Sequence, residues 1–162
     1  MILRDATEAD LPAILAIYND AVVNSTAIWN DTLVNLANRQ AWLADRRTKR
    51  YPVLVAARDG EVLGYASFGD FRPFDGYRVS VEHSVYVAQA ARGKGVGARL
   101  VEALFAPARA LDKKVMIGAI TGGNQVSVRL HERLGFVETG YMPGIGTKFG
   151  QRLDLVLMQK EL

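Results

Sequence analysis

The feature that most constrains the fold is a short run in the middle of the chain, Arg92-Gly93-Lys94-Gly95-Val96-Gly97. It stands between a strand-like segment, Val79–Val87, and a helix-like one, Ala98–Leu111. A helix start presents unpaired N–H groups and the positive end of the helix dipole. Glycines let such a backbone approach a phosphate closely, and Arg92 and Lys94 add positive charge. One glycine would serve a plain strand-to-helix turn. Three alternating glycines with two cations point instead to pyrophosphate binding. The run does not fit the Walker pattern, which needs Gly, four residues, then Gly-Lys-Ser/Thr. Nor does it match the Gly-x-Gly-x-x-Gly of dinucleotide folds, and it follows roughly the fourth strand rather than the first.

Strands and helices alternate around this loop. Ile2–Arg4 reads as a short strand. Thr7 with Asp10 resembles a capping box, and Leu11, Ile14, Leu15, Tyr18 and Val22 recur at helical spacing. A second helix is expected over Leu36–Arg47. Pro52–Arg58 and Glu61–Gly69 are strands, joined by the hairpin signal Asp59-Gly60. An aromatic, glycine-containing loop follows over Asp70–Arg78. Val115–Ile120 is a strand, and Asn124–Leu134 is a helix closed by Gly135. Phe136–Tyr141 and Leu153–Gln159 are the last strands, around a loop over Met142–Arg152. The order βααβββαβαββ implies an α/β (α+β) protein with a mixed central sheet of about seven strands, partly parallel, and four helices.

Composition narrows the chemistry. A chain of 162 residues has the length of one domain, spanning 1–162, and 49% apolar residues suffice for a core. There is no cysteine, so disulfides, thiolate zinc sites, iron–sulfur clusters and a cysteine nucleophile are excluded. His83 and His131 are the only histidines, which argues against a metal centre. A net charge of +3 permits an anionic ligand without requiring nucleic acid. The densest basic run, Arg46-Arg47-Thr48-Lys49-Arg50, has no interleaved aromatics and reads as a solvated helix end. No signal peptide and no apolar run of spanning length is read, so the expected setting is the cytoplasm, away from membranes.

Arg92, Gly95 and Gly97 supply Arg-x-x-Gly-x-Gly, which resembles the acetyl-coenzyme A loop of the GNAT N-acetyltransferases. The element order resembles that fold over essentially the whole chain. Val81–Val87, Phe71–Tyr77 and Arg129–Phe136 are similar to the phosphinothricin N-acetyltransferase group. Ala27-Ile28-Trp29-Asn30 and Gly146-Thr147-Lys148-Phe149-Gly150 point to its branch acting on L-methionine sulfoximine and L-methionine sulfone. The resemblance implies acetyl transfer from acetyl-coenzyme A, without a metal, to the α-amino group of such an amino-acid analogue. It also implies a homodimer with the pocket near its interface, where a neighbouring chain can contribute. Phosphinothricin is the nearest alternative acceptor; a polyamine or a peptide N-terminus is more remote.

Amide formation from a thioester needs a held cofactor, a neutral amine and a stabilised oxyanion. By resemblance, the backbone of Val85, Tyr86 and Val87 would hold the pantetheine arm, in a strand that splays from its parallel neighbour. The amides of Gly93, Lys94, Gly95, Val96, Gly97 and Ala98 would take the pyrophosphate beside Arg92. Asn124 and Ser127 would bond the arm, although both also suit plain helix capping. Glu82 interrupts an apolar strand, where a carboxylate is costly unless it is bonded or used. It is the candidate base, and an ion pair to Arg72 or Arg78 is the structural reading. Alternation places Glu82, Ser84 and Tyr86 on one face and His83 on the other. His131 occupies the position of a thiolate-protonating tyrosine in many GNATs, so it is either an acid or a packed helix histidine. Trp29, Arg72, Phe74, Asp75, Gly76, Tyr77, His83 and Lys148 are the substrate candidates, with Arg72 suited to grip a carboxylate. Two other classes compete: a coenzyme A-binding module without catalysis, and a nucleic-acid-binding domain resting on the basic pI near 9.3.

Overall fold

Seven strands form one sheet: β1 (Ile2–Asp5), β2 (Val53–Arg58), β3 (Glu61–Asp70), β4 (Ser80–Val87), β5 (Val115–Thr121), β6 (Val137–Lys148) and β7 (Gln151–Glu161). The computed structural model, which describes residues 1–162, orders them β1-β2-β3-β4-β5-β7-β6. The helices are α1 (Leu11–Asn24), α2 (Leu36–Thr48), α3 (Val96–Ala103), α4 (Phe105–Ala110) and α5 (Gln125–Arg133). No helix is long and apolar enough to cross a membrane.

The near-continuous apolar run of β2 is that of a strand buried on both faces. Val53 and Val55 pack with Leu11, Ile14 and Ile17 of α1 and Leu43 of α2. Their neighbours Leu54 and Ala56 face the larger core, with Leu100 and Leu104 at α3 and Phe105 and Ala108 of α4. The period-two alternation of the strand thus divides the protein into two layers of helix around one sheet.

Two expected elements differ. The single helix over Ala98–Leu111 is two, meeting at Leu104. Pro107 has no N–H to offer the Ala103 carbonyl, so the helical ladder is interrupted there. The expected loop over Met142–Arg152 is mostly strand. β6 and β7 pair out to Lys148 and Gln151 around a two-residue turn, Phe149-Gly150, whose φ values are 53° and 72°. Both central residues of a type I′ hairpin turn need positive φ, as Asp59 (52°) and Gly60 (84°) also provide. Pro143 and its glycines mask the strand in the sequence because they fall in a bulge between Met142 and Gly146.

The site is positioned by one irregularity. β4 pairs with β5 in parallel only at Ser80–Val115, Val81–Met116 and Glu82–Ile117. Beyond that, β4 follows its antiparallel partner β3 out to Val87, and β5 follows β7 out to Thr121. The two halves of the sheet part, and His83–Val87 keep one backbone edge without a strand partner.

Candidate active site

The parted strands enclose a cavity of about 190 Å³, lined by Glu82–Tyr86 of β4, Ala119–Thr121 of β5, Asn124, Ser127 and His131 near α5, and Ala27. A buried backbone edge without a strand partner is costly unless something bonds to it. An extended amide-bearing chain laid in the gap would meet that need as a strand does.

Glu82 is half-buried and lies in this cavity. Neither Arg72 nor Arg78 reaches it, and it takes part in none of the ion pairs. Burial alone raises its pKa above the ordinary carboxylate value. A carboxylate with a raised pKa, no counter-ion and cavity access is suited to take a proton from an ammonium group. Tyr86 shares its face and packs edge-on against Tyr18 at 6.3 Å. Burial pushes the Tyr86 phenol up to about 12, so it stays protonated.

The two histidines lie on the other face and meet each other. His83 Nε2 is 2.9 Å from His131 Nε2, and the rings stack at 5.0 Å with an interplanar angle of 17°. His131 Nδ1 is 2.7 Å from the Ser127 carbonyl. Burial lowers both pKa values, that of His83 to about 3. His83 therefore engages His131 from the face of β4 opposite to Glu82, while both residues line the same cavity. His131 has its Nε2 occupied and its ring neutral, which favours the packed role over a standing acid.

A second cavity, of about 490 Å³, opens along the glycine loop and contains Val87, Arg92, Gly93, Gly95, Val96, Gly97 and Ala98. Gly93 and Gly95 adopt φ of 74° and 76°, left-handed values that side chains resist. They turn the chain so that α3 starts at Val96 with its first-turn amides free of intrahelical partners. Arg92 is tied to the Val87 carbonyl at 3.1 Å and to Asp20 at 3.3 Å. Lys94 departs from expectation: its ammonium bonds Ala90 O at 2.9 Å and lies in another cleft behind the loop. The sequence reading missed Arg129 and Arg133, which face the 490 Å³ cavity from α5. Their i, i+4 spacing beside the glycine loop was the available signal. Asn124 caps α5, accepting from Ser127 N at 3.1 Å, and also lines the smaller cavity.

The substrate candidates scatter. Arg72, Phe74, Asp75, Gly76 and Tyr77 form an exposed loop, and none lines the Glu82 cavity of its own chain. Arg72 instead lies over the rings of Phe71 and Tyr77. Trp29 is wedged beside the cavity, its indole N–H donating to Thr26 O at 2.9 Å and Thr121 Oγ1 at 3.1 Å. A Cβ on Gly146 would strike that indole, so only glycine admits it. Lys148 is 2% exposed, and its ammonium donates to the carbonyls of Val22 and Ile28. Its charge is thus committed to the main chain behind the cavity wall, a correction to its reading as a substrate contact.

The Acetyltransferase (GNAT) family model matches residues 14–136. An L-methionine sulfoximine/L-methionine sulfone acetyltransferase of Pseudomonas aeruginosa is 60% identical over 99% of this chain and 94% of that protein. The crystal structure of a ribosomal-protein-alanine N-acetyltransferase from Brucella melitensis is 55% identical, covers all of both chains, and superposes with a TM-score of 0.98. The Salmonella typhimurium protein yncA, solved with its cofactor acetyl-CoA, is 51% identical over all of this chain and 94% of its own, also with a TM-score of 0.98.

Proposed function

This chain belongs to the GNAT acetyltransferase family and is an acetyl-CoA-dependent N-acetyltransferase; on that premise we propose that its acceptor is the α-amino group of a small amino-acid analogue of the L-methionine sulfoximine and L-methionine sulfone type. The observation that carries the reading is the open edge of β4, with Glu82 beside it and the glycine loop at its end.

Acetyl-CoA supplies an activated acetyl thioester. The residues present suit it: a backbone edge from His83 to Val87 without a strand partner for an amide-bearing arm, first-turn amides of α3 for a pyrophosphate, and Arg92, Arg129 and Arg133 for further phosphate charge. Glu82 accepts the proton that leaves the acceptor ammonium, on the face of β4 away from the histidines. Asn124 and Ser127 steady the arm from the start of α5. With no cysteine in the chain, no acetyl-cysteine can form, and the amine would attack the thioester carbonyl directly within a ternary complex, the C–S bond breaking as the amide forms and the amine's second proton leaving with the CoA sulfur as the thiol. Steady-state kinetics should be sequential; a ping-pong pattern would contradict this.

We take residues 1–162 as a single catalytic domain working in the cytoplasm as a homodimer. The exposed apolar side chains of edge strand β6, Val137, Tyr141, Met142 and Ile145, with Phe149 of the turn that follows it, support a second copy there. In that assembly the Phe71–Tyr77 loop of one chain walls the pocket of its neighbour, which accounts for its distance from its own cavity. Sedimentation of a monomer at micromolar concentration would overturn the homodimer.

The deciding experiment is an acceptor panel with acetyl-CoA, read as thiol release. L-methionine sulfone and sulfoximine should react well above background, ahead of phosphinothricin. A peptide beginning with alanine tests the activity named for the Brucella relative. The small cavity beside Glu82 favours a free amino acid over a peptide. Thiol release with the peptide alone would reverse that choice.

A further inference from the structure

The mechanism leaves His83 without a task, yet it is a buried polar side chain at the point where the strands part. Where β4 and β5 separate, the hydrogen bond from His83 to His131 joins β4 to α5 across the gap. Gly118 of β5 lies under that contact. A Cβ there would come within 3.0 Å of His131 Cδ2 and Nε2 and 3.1 Å of His83 Nε2. Phe136 meets both rings edge-on, at 5.6 and 5.0 Å.

The hydrogen positions follow from the partners. The Ser127 carbonyl can only accept, so His131 carries its proton on Nδ1. Neutral His131 then offers a lone pair at Nε2, and His83 must donate to it from its own Nε2. The remaining nitrogen, His83 Nδ1, is buried without a partner. A third proton on the pair could enter only there, and would bury an unpaired donor together with a charge. The charged groups on the surrounding elements point elsewhere. Glu82 is on the opposite face of β4, Arg129 and Arg133 face the loop cavity, Glu132 is exposed, and Lys160 of β7 lies over Phe105.

We propose that His83 is a positioning residue: through His131 it forms a two-imidazole strut that fixes α5, and with it Asn124 and Ser127, at a set distance from the open edge of β4. What the strut needs at position 83 is a donor aimed at His131 Nε2, not a base. This rests on the reading of the gap as the seat of the acetyl-CoA arm.

The test compares the wild type with His83→Leu and His83→Gln. Calorimetric titration with acetyl-CoA, which needs no acceptor, reads the seat itself. Leucine removes the donor and leaves His131 Nε2 unpaired, so the Kd for acetyl-CoA should rise about tenfold. Glutamine, whose amide can donate to the same lone pair, should restore most of that loss. Imidazole nitrogen NMR of the wild type should show His131 protonated on Nδ1 and His83 on Nε2, with His83 neutral down to pH 5 and His131 titrating below its ordinary value. Equal loss in both variants, or either ring titrating near its ordinary pKa of about 6.5, would overturn the strut. Wild-type protein that binds acetyl-CoA but acetylates no acceptor would instead overturn the catalytic reading and leave the strut standing.

Discussion

Glu82 and Lys148 are both charged groups in apolar surroundings, and the structure resolves them oppositely. Glu82 is left unpaired in a cavity, while Lys148 is buried on two carbonyls. Glu82→Gln keeps the shape and removes the base, so kcat should fall by about 10² to 10³ while the acetyl-CoA Kd stays nearly unchanged. Thiol-release kinetics and calorimetry on one preparation check this; a collapse of affinity would make Glu82 structural. Lys148→Met keeps most of the volume but strands the Val22 and Ile28 carbonyls. It should cost about 2 kcal/mol of stability, read as a lower urea midpoint with unchanged slope. Glu82 was legible because it breaks an alternating apolar pattern. The burial of Lys148 was not legible, since its partners are backbone groups more than a hundred residues away and carry no sequence signal.

At the scale of elements, local chemistry was the reliable guide. Asp59-Gly60 makes the expected hairpin turn, and Gly135 ends α5 with a φ of 87°. The reading failed where tertiary pairing overrides local signals. Pro143, Gly144 and Gly146 look like a loop, but β7 recruits their neighbours into a bulged strand. The parting of β4 and β5 was expected only by resemblance, because no residue in either strand announces it. β4 mixes polar and apolar residues and β5 is mostly apolar, as ordinary sheet strands are, and the split arises from their separate antiparallel partners. The glycine loop is the element most open to a decisive change. Gly95 sits at φ 76° with nothing near its missing Cβ, so Gly95→Val meets backbone strain rather than a clash. That strain is about 1–2 kcal/mol. It should be relieved by distorting the first turn of α3, and acetyl-CoA affinity should drop about tenfold with little change in kcat at saturation. An unaltered Kd would refute the phosphate-seat assignment.

For the molecule as a whole, the histidine pair sets how stability responds to acid. His83 is held at about 3 and His131 below its ordinary value, both chiefly by burial, whereas the unfolded chain protonates them near 6.5. Below pH 6.5 the unfolded state therefore binds protons that the folded state refuses, and stability falls as pH falls toward the folded pKa values. His83 contributes up to about 1.4 kcal/mol per pH unit in that window, and His131 adds in the same direction until its own lowered pKa is reached. Asp10, bonded to Arg4 and held at about 2, acts only later, between its ordinary 3.8 and that value. Glu82 has the opposite sign, because its raised pKa favours proton uptake by the folded state as pH falls through it. Urea midpoints measured from pH 7.5 to 4.5 should hence decline from about 6.5 downward, before the carboxylates titrate. The double change His83→Gln, His131→Gln should lower stability at pH 7.5 yet flatten the decline between 6.5 and 4.5. Because that expectation concerns a slope, a general loss of packing cannot imitate it. If the double variant keeps the wild-type slope, the histidines are not its source.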